Sequence, residues 1–153
     1  IFTSANADPE GENINECFSG FAAGRHDSIF IRSLGRLNYL SAARLARCVI
    51  GNSSSGIVEV PALGTPVVNI GRRQTGRPHG EAVISIAAEE HALAAAIVRA
   101  CEPEFRQKAA TAVNPYEGED SASRIASIIA GFDLASIRRE KTFFDLDQPL
   151  SSF

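Results

Sequence analysis

The sequence contains no methionine and no tryptophan, and among its 153 residues only two are lysines, Lys108 and Lys141. The lysine shortage removes the phosphate-binding pattern GxxxxGK[ST], and the dinucleotide pattern GxGxxG is absent as well. A strong basic excess is also missing: 15 basic against 18 acidic side chains give a net charge of −3, which argues against a nucleic-acid partner. Small anions stay open, because they need only a few placed donors. No stretch approaches the ~18 uninterrupted apolar residues that cross a bilayer, so no membrane is expected. Three cysteines, Cys17, Cys48 and Cys101, lack the spacing of a zinc or redox motif and the even number of a disulfide framework. They read as small buried side chains in a reducing cytoplasm. His26, His79 and His91 are scattered, so neither a metal nor another cofactor is expected. No pair of carboxylates suits general acid and base work. With no initiator methionine, and with Ile1-Phe2-Thr3 reading as the interior of a structure, the expectation is a piece of a longer chain.

With 44% hydrophobic and 22% charged residues, the chain has the material of one ordinary globular domain. Its apolar period switches repeatedly between strand-like and helix-like. Strands are expected at Ile1–Thr3, Ser28–Arg32, Cys48–Ile50, Pro66–Ile70 and Ala82–Ile86. The first helix is expected to be capped by Asp8, with Pro9 in its first turn, and to end at Gly24. Further helices are expected over Leu37–Leu45, Ser55–Leu63, Ala87–Cys101, Pro103–Ala112 and Ser121–Ala130, with a polar loop over Gly71–Gly80. Short apolar runs alternating with helices indicate an α/β, Rossmann-like, three-layer domain with about five parallel strands. That domain is expected over 1–130. Residues 131–153 read as a helical tail or extension, either an arm packing on a further domain or a frayed end.

The most informative segment runs from Cys48 to Glu59. An apolar strand stops at Gly51, and a helix begins within Ser53-Ser54-Ser55. Ligands of open α/β sheets sit beyond the carboxyl ends of the strands, where free N–H groups of a helix start favour an anion. Serines at such a turn also serve simply to cap the helix. Glu59 lies six residues after Ser53, where a carboxylate could accept hydrogen bonds from two sugar hydroxyls, although a solvated helix acid would look the same. Arg72, Arg73 and Arg77 follow the strand Pro66–Ile70 and could converge on a diphosphate. Two strand ends carrying a serine cradle, an arginine loop and a carboxylate together indicate a nucleoside-diphosphate site. His79 is the histidine that falls in a candidate ligand loop.

The block GNSSSGIVEVPALGTPVVNIGRRQTGRPHGEAVI resembles the C-terminal domain of UDP-N-acetylglucosamine 2-epimerases of the hydrolysing, sialic-acid-type branch. Asn6-Ala7-Asp8, Ser33-Leu34-Gly35-Arg36 with Tyr39-Leu40, and Asn114-Pro115-Tyr116-Glu117-Gly118 support the resemblance, collinear with it over about residues 1–130. The resemblance implies one half of a GT-B two-domain fold, with the active site in the cleft between the halves. It implies that Ser53 and Ser54 hold the diphosphate of UDP, Glu59 the ribose hydroxyls and Arg73 the phosphates, with Asn6 near the nucleotide. Arg72 beside Arg73 leaves open which of the two faces the phosphates. The implied reaction converts UDP-GlcNAc and water to N-acetylmannosamine and UDP, by elimination of UDP and hydration of the resulting glucal. The acid–base residues belong mainly to the missing N-terminal Rossmann-like domain. No catalytic residue is therefore assigned here, and the chain alone is expected to be inactive. Its expected partners are UDP or UDP-GlcNAc, the N-terminal domain and a homo-oligomer. The alternatives are a stand-alone UDP-sugar-binding module and the donor-binding half of a GT-B glycosyltransferase. The Arg73-Gln74-Thr75-Gly76-Arg77 segment favours the epimerase.

Overall fold

The structure is a computed structural model that describes residues 1–5, 10–118 and 120–133. It divides into two compact units, Ile1–Glu117 and a second that starts at Gly118. The first unit begins with β1 (Phe2–Thr3), α1 (Gly11–Ala23), β2 (Phe30–Ile31), α2 (Gly35–Leu45) and β3 (Val49–Gly51). It continues with α3 (Ser55–Val58), a 3₁₀ turn (Pro61–Leu63), β4 (Val67–Ile70), β5 (Val83–Ile86), α4 (Glu90–Cys101) and α5 (Pro103–Thr111). The second unit contains α6 (Ser121–Gly131), whose Ile125, Ile128 and Ile129 recur at helical spacing.

All strand pairing is parallel, as the alternation of strands and helices requires. β1 pairs with β2, and a separate three-stranded sheet has the order β3-β4-β5. In that sheet Val49 lies opposite Val67 and Gly51 opposite Asn69, so β3 and β4 end side by side. The β-branched pair Val67-Val68 sets the layers, because neighbouring strand residues point to opposite faces. Val67 packs with Ala43 of α2, Ile57 of α3, Val60 and Val83, whereas Val68 packs with Ala96 and Ala100 of α4. The β4 centre is thus covered on both sides, and the expected three-layer α/β arrangement is present. In the β1–β2 part of the unit, the Phe2 ring meets Phe18 of α1 tilted and Phe21 of α1 edge-on, with centroids 4.9 and 5.6 Å away.

Two local departures from the sequence expectation matter for the site. The helix expected over Ser55–Leu63 is broken in two, since Pro61 has no N–H to donate and its ring crowds the preceding turn. Glu59 therefore sits at the C-terminal cap of α3 rather than inside a longer helix. The helix expected from Ala87 starts at Glu90. The Asp8 cap and Pro9 lie outside the described residues, and α1 starts at Gly11 behind Glu10.

The segment after α5 is fastened to α3 and lies against Gly80, in the loop between β4 and β5. Asn114 is buried, donates from Nδ2 to the Val58 carbonyl at 2.8 Å and accepts the Tyr116 N–H at 3.1 Å. Gly80 lies so close to the Val113 carbonyl oxygen that an added Cβ would collide with it. Since Asn114 anchors that carbonyl's neighbour, the backbone has little room to yield. Gly80→Ala is expected to lower stability by about 1–3 kcal/mol, seen as a reduced urea midpoint at an unchanged slope.

Candidate functional site

The neighbouring carboxyl ends of β3 and β4 open into two turns. Residues 52–54 follow Gly51, and the arginine loop follows Ile70 through Gly71, whose φ of 76° suits glycine. One atom ties these turns together. The carbonyl oxygen of Asn52 accepts a 2.7 Å hydrogen bond from Gln74 Nε2 and a 3.2 Å bond from Arg73 Nη1. Gln74 is only 4% exposed, and its Oε1 accepts from Arg77 Nη1 at 3.2 Å. The buried Gln74 amide thus holds the Arg77 guanidinium, while Arg73 shares the Asn52 carbonyl with it. Of the two adjacent arginines, Arg73 is the one that reaches the serine turn.

The three serines are put to different uses. Ser55 Oγ donates to the Tyr39 hydroxyl of α2 at 3.0 Å, a bond that fastens α3 to α2. Ser53 Oγ lies 3.4 Å from the Ser55 N–H, a long contact. Ser54 occupies the N-cap position yet makes no side-chain capping bond. The Ser54 hydroxyl is therefore not consumed in holding the helix, and Ser53 Oγ accepts only a long bond from the helix start, which leaves its own proton for another acceptor and weakens the capping alternative. With only four residues, α3 has a small dipole, so an anion here would rely on N–H and O–H donors and on Arg73.

Glu59 stands apart from this clamp. Its side chain is 40% exposed, and Oε1 lies 3.9 Å from Arg36 Nε in the first turn of α2. The Ser33-Leu34-Gly35-Arg36 and Tyr39 motif is thereby brought against α3 through two contacts, Arg36 to Glu59 and Tyr39 to Ser55. The structure thus joins Ser53, Ser54 and Arg73 through Asn52 and places Glu59 at the other end of the same short helix. Asn6 lies outside the described residues. Beneath the arginine loop, His79, Arg77, Gln74, Asn69 and Ser85 line a cleft of about 250 Å³. Asn69 is buried there and donates to Ser85 Oγ at 3.2 Å. Among the described residues no group of three or more His, Cys, Asp or Glu side chains could hold a metal. None of their helices is long and apolar enough to cross a membrane.

Sequence reasoning missed the Asn52 carbonyl and the part played by Gln74. A backbone oxygen carries no residue signature, and a lone glutamine between arginines looks like a solvated loop side chain until its burial is known.

The sequence model of the UDP-N-acetylglucosamine 2-epimerase family matches residues 1–130. The chain is 30% identical to the polysialic acid biosynthesis protein P7 of Escherichia coli over 153 residues, all of this chain and 39% of that protein. It is 45% identical over 85 residues to a hydrolysing GDP/UDP-N,N'-diacetylbacillosamine 2-epimerase of Campylobacter jejuni, covering 55% of this chain and 22% of that one. A UDP-N-acetylglucosamine 2-epimerase of Neisseria meningitidis is 30% identical over 109 residues, 71% of this chain and 29% of that protein. The chain thus spans between 22% and 39% of the length of these relatives.

If Gln74 sets the arginine loop, Gln74→Ala should loosen it without unfolding the domain. The expected stability loss is about 1–2 kcal/mol, at the lower end for a buried partner because Arg73 still serves the Asn52 carbonyl. Amide exchange over residues 71–77 should rise while that of β4 and β5 stays slow; unchanged loop exchange would contradict the clamp.

Proposed function

The chain belongs to the UDP-N-acetylglucosamine 2-epimerase family, and from that premise we propose that it is the UDP-binding half of a hydrolysing member. In this reading the whole protein converts UDP-GlcNAc and water to N-acetylmannosamine and UDP in the cytoplasm. Residues 1–130 form the nucleotide domain, one half of a GT-B fold, and 131–153 an extension. The observation that carries the proposal is the Asn52 clamp, which ties a guanidinium to the turn that carries Ser53 and Ser54, where Ser54 makes no capping bond and Ser53 makes only a long one.

The chemistry follows from those groups. Expulsion of UDP from the sugar builds negative charge on the departing diphosphate. Arg73 is already oriented by its bond to Asn52, so little reorganisation is needed when it meets that charge. Ser53 and Ser54 supply neutral donors to the remaining phosphate oxygens. Glu59 receives the two ribose hydroxyls, its exposed carboxylate turning from Arg36 to the sugar. The proton transfers at the sugar itself fall to the other half of the protein, which also closes the cleft. A homo-oligomer of the whole protein is part of this reading.

A second reading concerns the sugar alone. The 45% identity to the hydrolysing diacetylbacillosamine enzyme over 85 residues supports a diacetamido sugar in place of N-acetylglucosamine. The same serine, arginine and glutamate roles would serve either nucleotide sugar.

Titration of the chain with UDP, followed by amide chemical shifts, tests the site. Saturable shifts are expected on residues 51–59 and 71–77, with Kd in the range of ~0.1 to several mM, since one wall of the cleft is supplied by the other half. Arg73→Ala and Glu59→Ala should each weaken binding by about tenfold or more, equivalent to ~1.4 kcal/mol. Shifts absent in both the chain and the full-length protein would overturn the assignment. The chain alone is expected to release no UDP from UDP-GlcNAc; release abolished by Ser53→Ala would refute the division of labour.

A further inference from the structure

Sequence spacing gave no reason to pair the cysteines, but folding brings two of them together. Cys48 and Cys101 are 53 residues apart in the chain, and their sulfurs lie 3.9 Å apart. Cys48 immediately precedes β3, and Cys101 is the last residue of α4. Both are free and partly buried, whereas Cys17 is exposed. Cys48 packs on the cluster of Val68, Ala96 and Ala100, so the core holds this contact in place. We propose that Cys48 and Cys101 are a reversible disulfide modification site that staples α4 to the strand feeding the serine turn.

The geometry asks for little movement. A disulfide needs its sulfurs about 2.05 Å apart, so from 3.9 Å the pair must approach by just under ~2 Å. Burial and the neighbouring sulfur push the Cys48 thiol up to about 11, so Cys48 rests as a thiol at neutral pH. The oxidant is a small organic disulfide. One cysteine thiolate attacks it, forming a mixed disulfide and releasing one small thiolate. The second cysteine thiolate then attacks the protein sulfur of that mixed disulfide and expels the other. Two protein thiols are oxidised to one S–S bond, the organic disulfide is reduced to two thiols, and the two protons pass to the released thiolates. Because Cys48 lies three residues before Gly51, the staple would damp motion in the strand that carries residues 52–54.

The test uses the chain carrying Cys17→Ser, incubated with glutathione disulfide at mildly alkaline pH. The expected product has lost both thiols and yields one non-reduced peptide pair joining Cys48 to Cys101. Its Tm should rise by ~5 °C or more and fall back with dithiothreitol. A second variant that also carries Cys101→Ala should take up a single glutathione and show no such rise. Two thiols still titrating after denaturation, two separate glutathione adducts, or an equal rise in Tm for the Cys101→Ala variant would each overturn the proposal.

Discussion

A single backbone oxygen organises this molecule's candidate site. The Asn52 carbonyl lies just past the end of β3 and receives two donors from the loop after β4, so two turns from neighbouring strands behave as one surface. Were that oxygen unpaired, each turn would be an exposed polar segment with its own freedom. A hydrogen bond to a charged donor contributes about 1.5–3 kcal/mol when shielded and less when exposed, as Arg73 is. The buried Gln74 bond is therefore the dependable part of the clamp, and Arg73 is the part left free to respond to a ligand. That division suits a site that must hold an arginine ready without burying it.

The layers beneath explain why the clamp forms at all. Parallel register places Gly51 beside Asn69, and the two β4 valines bury opposite faces against different helices. A slip of one residue would exchange Val67 with Val68 and bring Asn69 to the α4 side, so register is strongly set. Pro61 then has a constructive effect. By stopping α3 after Val58 it lets the chain turn at Gly64, whose φ of 72° places it in the left-handed region, and re-enter the sheet within a few residues. Glu59 ends up on a cap instead of a helix face, within reach of Arg36.

Much of this was legible in the sequence, and the reason is physical. Each of the five described strands is a short run rich in β-branched or aromatic residues, and β3 and β4 are closed by glycine, so such runs announce themselves locally. The helix from Pro103 and the one from Ser121 begin where expected, because proline and serine favour a helix start. What stayed hidden were relations between distant residues. Nothing in the spacing of Cys48 and Cys101 tells that the end of α4 returns to the start of β3. The roles of Asn114 and Gln74 depend on burial, which a single sequence does not display. The serine turn sits between these cases: its position was readable, but the sharing of labour among Ser53, Ser54 and Ser55 depends on Tyr39 arriving from α2.

In the proposed reading, the arrangement also accounts for why such a nucleotide site would be shared between two halves. Among the described residues proposed for the nucleotide, Ser53, Ser54 and Arg73 lie in the turns that follow β3 and β4, and the charged members, Arg73 and Glu59, are exposed and partly exposed to solvent. Charge pairs facing water contribute little, because solvent screens them and competes for their hydrogen bonds. The same groups become far more effective when a second wall excludes water and lowers the local dielectric. Tight binding by this half alone would also hold UDP after the reaction and slow its release. On the proposed function, a weak, pre-oriented half-site whose strength appears on closure would couple stabilisation of the leaving diphosphate to the moment the cleft is shut. That coupling needs the exposed guanidinium and the buried glutamine together, since an arginine without its clamp would have to be ordered during the step itself.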